Sequence, residues 1–308
     1  MGSPDFAAVS LRMLIEEKYP ILGVITQPDK PKGRGKKLTP TAVKNLALQY
    51  NLPIFQPISS KDPSFIQELQ QLKPDVLIVI AFGQILSQAL LDIAPLGAIN
   101  IHGSLLPLYR GPAPIQWTLI NGESTTGVTT IKMDSGVDTG DILLQAKIEL
   151  KNDETTETLH NRLAKLGANL LLETLQKIEN KSLVSTPQND AQATYARMLS
   201  KKDGLIDWNK SAHELDYFVR GMAPWPRAFT FINGKRLLIH QATPVLIEST
   251  TLPGTVLKVS SNELIIATGQ KEALSIQEVQ QDSGKRLSIK EYLKGVSIQC
   301  GDFLGESA

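Results

Sequence analysis

Val76-Leu77-Ile78-Val79-Ile80-Ala81, followed by Ala98-Ile99-Asn100-Ile101-His102-Gly103, decides the fold. The first run is apolar at every position, the pattern of a strand buried on both faces in a parallel sheet. The second carries isoleucine at alternate places and ends in two polar side chains, Asn100 and His102, which the alternation of a strand puts on one face. Working outward, Ile21 to Thr26 and Pro53 to Phe55 read as short strands, with Thr41 to Tyr50 and Ser64 to Leu72 as helices between and after them. Downstream, Thr126 to Met133 and Ile142 to Leu150 read as paired strands, and Thr156 to Ile178 as a long amphipathic helix. Such alternation predicts an α/β fold, a doubly wound and mostly parallel sheet covered by helices on both faces, whose ligands bind outside the carboxyl ends of the strands.

The first residues fit this fold with one irregularity. Ala7, Leu11, Leu14 and Ile15 share a helical face and Pro4 suits a first turn. A Gly2-Ser3-Pro4 turn opening such a helix ordinarily follows a buried strand, and no strand precedes it in this sequence. The expectation is a polypeptide that starts upstream, with the first strand of the sheet absent here; a fold that begins with a helix is the plainer alternative.

A length of 308 residues suggests two domains. The polar stretch Ser182 to Thr194 separates them, giving a first domain over 1–181, a linker over 182–200 and a second domain over 201–308. The second has one helix, Ser211 to Arg220, then short strands: Ala228 to Ile232, Leu237 to Gln241, Thr255 to Val259 and Leu264 to Ala267. Asn233-Gly234 between two of them is a strong hairpin signal, and the spacing predicts a small β-barrel of the oligonucleotide-binding type.

Composition narrows the function classes. Hydrophobic residues at 42% and charged residues at 20% are those of an ordinary folded chain. The longest apolar runs fall far short of the ~18 to 20 residues that cross a bilayer. One cysteine, Cys300, can form neither an intrachain disulfide nor a thiolate metal cluster. With 32 Lys and Arg against 31 Asp and Glu, any polyanion site must be local. Asp29-Lys30-Pro31-Lys32-Gly33-Arg34-Gly35-Lys36-Lys37-Leu38 is such a place, with five basic residues against one acidic one. It reads as an irregular loop, either merely solvated or a finger for phosphates. It is neither a P-loop nor a dinucleotide fingerprint, which argues against a simple dehydrogenase.

Among four histidines, His160, His213 and His240 read as structural, while His102 ends a strand beside Asn100. An amide donor and an imidazole at that edge suit oxyanion stabilisation with proton transfer. A rigid loop, Tyr109-Arg110-Gly111-Pro112-Ala113-Pro114, follows, and then Met133 to Asp141, whose aspartates miss the calcium-loop pattern, so no metal site is expected.

Taken together, Gly2 to Ala7, the basic loop from Gln27 to Pro40, Asn100 to Pro107, Arg110 to Gln116, Met133 to Asp141, Ile206-Asp207-Trp208 and Pro224-Trp225-Pro226 resemble the methionyl-tRNA formyltransferases in order and spacing. The Asn-x-His-x-Ser-Leu-Leu-Pro run with a downstream Asp is the mark of folate-dependent formyltransferases. The basic loop and the second domain select the tRNA branch. The resemblance implies transfer of a formyl group from 10-formyltetrahydrofolate to the α-amine of methionyl initiator tRNA. It implies Asn100, His102 and Asp138 as catalytic residues, Ser104, Leu105, Leu106 and Pro107 at the folate site, and Lys30, Lys32, Arg34, Lys36 and Lys37 at the tRNA, with no metal. A monomer in the bacterial cytoplasm, away from membranes, is implied with it. Two alternatives stand beside this reading: a related formyltransferase or hydrolase acting on another acceptor, and a non-catalytic RNA-binding protein on the same scaffold.

Overall fold

The computed structural model describes residues 1–33, 35 and 37–305. They form two compact units, one of Met1–Pro114, Thr125–Glu149 and His160–Ala196, the other of Ile115–Ser124, Leu150–Leu159 and Arg197–Ala308.

The first unit opens with helix α1 (Asp5–Glu16), which buries Phe6, Ala7 and Ser10 and ends where Lys18 turns left-handed. Strand β1 (Val24–Ile25) leads into a hairpin of β2 (Lys30–Lys32) and β3 (Lys37–Thr39), then helix α2 (Ala42–Gln49). The Thr41 hydroxyl accepts from the Lys44 amide, satisfying one of the donors a helix leaves open at its start. Next come β4 (Ile54–Phe55), α3 (Pro63–Gln71), β5 (Leu77–Val79), α4 (Gln88–Leu91) and β6 (Ala98–His102). Asp62 caps α3, and Pro63 fills its first position, where a missing N–H costs nothing. In sequence, helix α5 (Pro114–Ile120), which apart from Pro114 belongs to the second unit, precedes the long antiparallel pair β7 (Thr125–Lys132) and β8 (Ile142–Glu149), and α6 (Thr156–Glu179) follows, in the first unit from His160 onward.

The sheet matches its sequence reading closely. Strands β5 and β6 are parallel neighbours, in register from Leu77 opposite Ala98 to Val79 opposite Asn100. Strand β4 runs parallel to β1, while β7 and β8 are antiparallel and complete the order β5-β6-β7-β8. Helix α6 covers β6 and β7 closely because Gly167 carries no side chain: a Cβ there would lie 2.9 Å from Ile101 Cγ2. Its Thr174 hydroxyl meets that of Thr130 at 2.9 Å, so the two buried polar groups satisfy each other.

Between β1 and β5, in the position where a leading strand is expected, Met1 and Gly2 make a single rung. The Gly2 amide donates to Ile25 O and the Ile80 amide to Met1 O, both at 2.9 Å. Beside that rung lies a cavity of about 580 Å³ lined by apolar side chains such as Leu11, Leu14, Val24, Leu72, Leu77 and Leu175. None of Asn100, His102 or Asp138 borders it.

The second unit has helix α7 (Ala212–Met222), held at its start by a reciprocal Ser211–Glu214 capping pair. Strands β9 (Ala228–Ile232) and β10 (Lys235–Val245) follow, then β11 (Val256–Val259), β12 (Leu264–Ala267), β13 (Ala273–Gln281), β14 (Leu287–Ser288) and the short helix α8 (Ile289–Tyr292). Asn233 and Gly234, both at positive φ, make the expected turn between β9 and β10. Trp208 is buried and gives its indole N–H to Thr230 Oγ1 at 3.1 Å.

The expected closed barrel is corrected by the structure. The strands lie in the order β11-β12-β13-β10-β9, with β14 on β13, and among the described residues β11 and β9 do not pair with each other. One segment passes between these edges instead. On the β11 side Val256 N donates to Asp302 O, Gly301 N to Val256 O and Leu304 N to Gly254 O, and on the β9 side Gly305 N donates to Phe231 O. The sheet therefore keeps two edges, and this segment bonds to both of them.

Among the described residues no helix is long and apolar enough to cross a membrane.

Gly127 in β7 has no room for a side chain near the site, since a Cβ would lie 2.1 Å from Ala146 O on β8 and 2.5 Å from Leu105 Cδ2. Gly127→Ala is expected to lower unfolding free energy by about 1 to 3 kcal/mol in urea titrations, the usual cost of overpacking. An unchanged midpoint would contradict the tight β7–β8 contact.

Candidate active site

Strand β6 delivers Asn100 and His102 to one place at its carboxyl end, as strand alternation requires. Asp138 comes from the loop between β7 and β8, where it holds a φ of 55°, a left-handed conformation that aspartate adopts more readily than most residues other than glycine. The three side chains meet. Asn100 Nδ2 donates to Asp138 Oδ1 at 3.3 Å, and His102 Nδ1 stands 3.5 Å from Asp138 Oδ2. The backbone N–H of Gly111 donates to the same Oδ2 at 2.8 Å.

Hydrogen-bond bookkeeping then fixes the protons on the imidazole. Nε2 of His102 is 2.8 Å from the Tyr109 carbonyl. A carbonyl only accepts, so Nε2 carries a hydrogen. Nδ1 faces a carboxylate, and an attractive contact there needs a second hydrogen. The buried ring thus bonds the Tyr109 carbonyl through Nε2 and sets Nδ1 beside the carboxylate.

The turn after β6 is built on Thr129 of β7. Its buried hydroxyl donates to Ser104 O at 2.7 Å and accepts from the Leu106 amide at 3.1 Å and from Gln145 Nε2 at 3.0 Å. Gln145 also donates to Leu106 O at 2.8 Å. Ser104 spends its own hydroxyl on Leu108 O at 2.6 Å. Ser104 and Leu106 are therefore interior supports, while Leu105 and Pro107 are partly exposed beside the Asn100–His102 pair. Thr129 and Gln145 escaped the sequence reading because a polar residue inside a strand gives no one-dimensional sign of what it bonds.

The segment after Thr186 closes the site from the other side. Arg110 N donates to Thr194 O at 2.8 Å, Ala196 N to Arg110 O at 2.7 Å, and Tyr109 N to Thr194 Oγ1 at 2.8 Å. Gly111 allows this approach: its φ is 108°, and a Cβ would lie 2.9 Å from Ala196 O.

The basic segment is not the irregular loop the sequence suggests. It is a short antiparallel hairpin with Lys30 opposite Thr39 and Lys32 opposite Lys37, and its glycines supply turn conformations, Gly33 at φ 73° and Gly35 at φ 101°. Arg34 and Lys36 lie outside the described residues. Lys30 Nζ donates to Gln27 Oε1 at 2.6 Å, and Lys37 is exposed. At the hairpin base the Lys44 ammonium, and then the Gln56 amide, hold the Asp29 carboxyl below its usual range by hydrogen bonds of 2.8 to 2.9 Å. The one acid of the segment is thereby neutralised by a lysine from α2, and the hairpin keeps its positive charge.

The other histidines stay apart from this site. The His160 ring packs edge-on to Phe6 at 5.3 Å between centroids, and His240 bonds Gln280 at 3.0 Å, its ring held below the usual histidine range mainly by burial. In the aspartate loop, Asp134 accepts from the Gly136 amide and the Thr139 hydroxyl, and among the described residues no three His, Cys, Asp or Glu side chains are grouped to hold a metal ion.

Two family models match the chain: formyl transferase over residues 1–175, and formyl transferase, C-terminal domain, over 198–297. The chain is 48% identical over 308 residues to the methionyl-tRNA formyltransferase of Acetivibrio thermocellus, covering 99% of this chain and 98% of that protein. It is 46% identical over 306 residues to that of Alkaliphilus oremlandii, with the same coverage of both chains. Among solved structures, the N-formyltransferase of Helicobacter canadensis with folinic acid and dTDP-3-aminofucose aligns with a TM-score of 0.68 at 19% identity, over 90% of this chain and 97% of that one. HypX of Aquifex aeolicus in complex with tetrahydrofolic acid aligns with a TM-score of 0.61 at 18% identity, over 99% of this chain and 50% of that one. These likenesses establish the shared fold.

Thr129→Val keeps the side-chain shape but strands the Leu106 amide and the Ser104 carbonyl. A loss of about 1 to 3 kcal/mol for each buried group left without a partner is expected in denaturant titrations. A loss below about 0.5 kcal/mol would mean that the turn does not depend on this hydroxyl.

Proposed function

The chain belongs to the formyl transferase family, and on that premise we propose that it transfers the formyl group of 10-formyltetrahydrofolate to the α-amine of methionyl initiator tRNA. The observation that carries this reading is the meeting of an amide, an imidazole and a carboxylate at the carboxyl end of β6, in a chain that aligns with methionyl-tRNA formyltransferases over nearly its full length. The residues fit a folate donor: Leu105 and Pro107 give a partly exposed apolar rim, and Asn100 is half-buried within reach of solvent.

10-Formyltetrahydrofolate, when bound, supplies the formyl carbon as the electrophile. The amine of the methionyl ester forms a bond to that carbon while the bond from carbon to folate nitrogen breaks, so one proton leaves the amine and one returns to the folate. Negative charge grows on the formyl oxygen. Asn100 Nδ2 has a second hydrogen free for that oxygen, and the Nε2 hydrogen of His102 is offered to it in place of the Tyr109 carbonyl. Asp138 holds the imidazolium by charge and carries the amine proton outward, directly or through water.

The hairpin residues Lys30, Lys32, Arg34, Lys36 and Lys37 contact phosphates near the acceptor end, which gives affinity without sequence identity. Selection of the initiator tRNA then rests on the shape and pairing of its acceptor end. The second unit holds the RNA elsewhere. The enzyme works as a monomer in a bacterial cytoplasm, a setting supported by the bacterial sources of its relatives.

Asn100→Ala is expected to lower kcat by about 10² to 10³, the usual cost of one oxyanion donor. A change under about threefold would remove Asn100 from this role. Arg34→Ala with Lys37→Ala should raise KM for tRNA while leaving folate affinity unchanged, and should flatten the dependence of log affinity on log salt by about one unit for each phosphate no longer neutralised. An unaltered salt slope would detach the hairpin from the RNA. In a competition of acceptors, methionyl initiator tRNA should be formylated in preference to an amino-sugar nucleotide; the reverse order would assign the site to another acceptor.

A further inference from the structure

Asp138 holds two side chains from a loop, in a left-handed backbone conformation. Something must fix that loop, and the side chain of Gln188 is placed to do so. Its Nε2 donates to Asp138 O at 2.8 Å and to Gly140 O at 2.7 Å. Its Oε1 accepts from Arg110 Nε at 3.1 Å and Nη2 at 2.9 Å. Both hydrogens and both lone pairs of the amide are therefore used, and its orientation admits no flip, because the opposite one would set donors against a guanidinium.

Arg110 is itself locked. It is 1% exposed, and its Nη2 also bonds Asp190 Oδ1 at 2.6 Å. A guanidinium with fixed fork geometry, buried and bonded, is a rigid anchor. Its chain neighbour Gly111 gives the N–H that meets the Asp138 carboxylate. Asp138 is thus gripped twice from one place: at its carboxylate through Gly111, and at its carbonyl through Arg110 and Gln188. Gly140 packs close against the end of β7, where a Cβ would lie 1.8 Å from Lys132 O.

We infer that Gln188, anchored by Arg110, is a positioning residue for the chemical step, setting the left-handed turn that aims the Asp138 carboxylate at Asn100 and His102. This inference rests on the proposed formyl transfer. Gln188 touches neither substrate nor the reacting atoms. Its loss should therefore appear in turnover and not in substrate binding.

Gln188→Glu separates the two halves of the clamp. A carboxylate still accepts from Arg110, more strongly than the amide, but it cannot donate to the carbonyls of Asp138 and Gly140, which it would repel. If Gln188 serves only to hold Arg110 and the fold, this variant is harmless. On the positioning account, kcat for formyl transfer to methionyl initiator tRNA falls by about 10 to 100-fold, as geometric misplacement of a catalytic group commonly costs. KM for tRNA and for 10-formyltetrahydrofolate stays within about threefold. Gln188→Met, which removes the same donors without adding charge, gives the same division, and guards against a purely electrostatic or folding effect of the glutamate. In an Asp138→Asn background, Gln188→Met should cost less than about threefold further, because the group it positions is already disabled.

The inference is overturned if both variants keep kcat within about twofold of the parent, if the loss falls on KM alone, or if the losses from Gln188→Met and Asp138→Asn multiply in full. A parent chain that formylates no tRNA would instead defeat the functional reading on which the inference rests, an outcome the wild-type control reports separately.

Discussion

The site depends on where one carboxylate is held. Asp138 receives the Asn100 amide, the Gly111 backbone N–H and the Nδ1 edge of the His102 ring, so a single group ties together a strand end, a rigid loop and a turn between two other strands. Each tie has a counterpart in the scaffold. Strand alternation in β6 puts Asn100 and His102 on one side, and the absence of a side chain at Gly111 lets the loop close against Ala196. Thr129 shapes the turn beneath from inside β7. An imidazole beside the carboxylate, with an amide next to it, is an arrangement suited to negative charge that is fleeting and local.

The same economy of charge governs the basic hairpin. A nearly neutral chain can present a positive finger because Asp29, the only acid in that segment, is paired with Lys44 from the following helix. Lys30 and Lys37 are exposed on a two-stranded hairpin with Gly33 and Gly35 between its strands. Exposed lysines on a narrow hairpin suit contacts with phosphates that follow a backbone.

Much of this was legible in the sequence, for identifiable reasons. The apolar run at 76–81 and the Asn-x-His ending at 102 each obey a rule that acts within a few residues, and both strands lie where those rules put them. The hairpin turn at Asn233-Gly234 obeys a similar one. The barrel failed because its closure is not a local property. Strand β13, Ala273–Gln281, is the central strand of that sheet, yet its Gln and Glu residues fall in pairs, Gln277-Glu278 and Gln280-Gln281, so that neither strict alternation nor a continuous apolar run marks it. The basic segment was read as a loop because Pro31 and two glycines oppose regular structure, whereas the glycines lie at the turn and Pro31 on a two-stranded edge, where prolines are tolerated. Gln188 lay hidden for another reason: it sits in a polar stretch whose composition is that of any linker, and only the fold brings it to Arg110 and Asp138.

The most direct test is single-turnover formyl transfer from 10-formyltetrahydrofolate to methionyl initiator tRNA by the parent chain and by Asp138→Asn. The asparagine keeps the size of the side chain and can still accept from Gly111, but it cannot pair with an imidazolium. The account requires transfer by the parent and a fall of about 10² to 10⁴ in the variant, in the range set by loss of a proton-transfer group, with folate binding and thermal stability retained. A variant that transfers formyl within about threefold of the parent would contradict it.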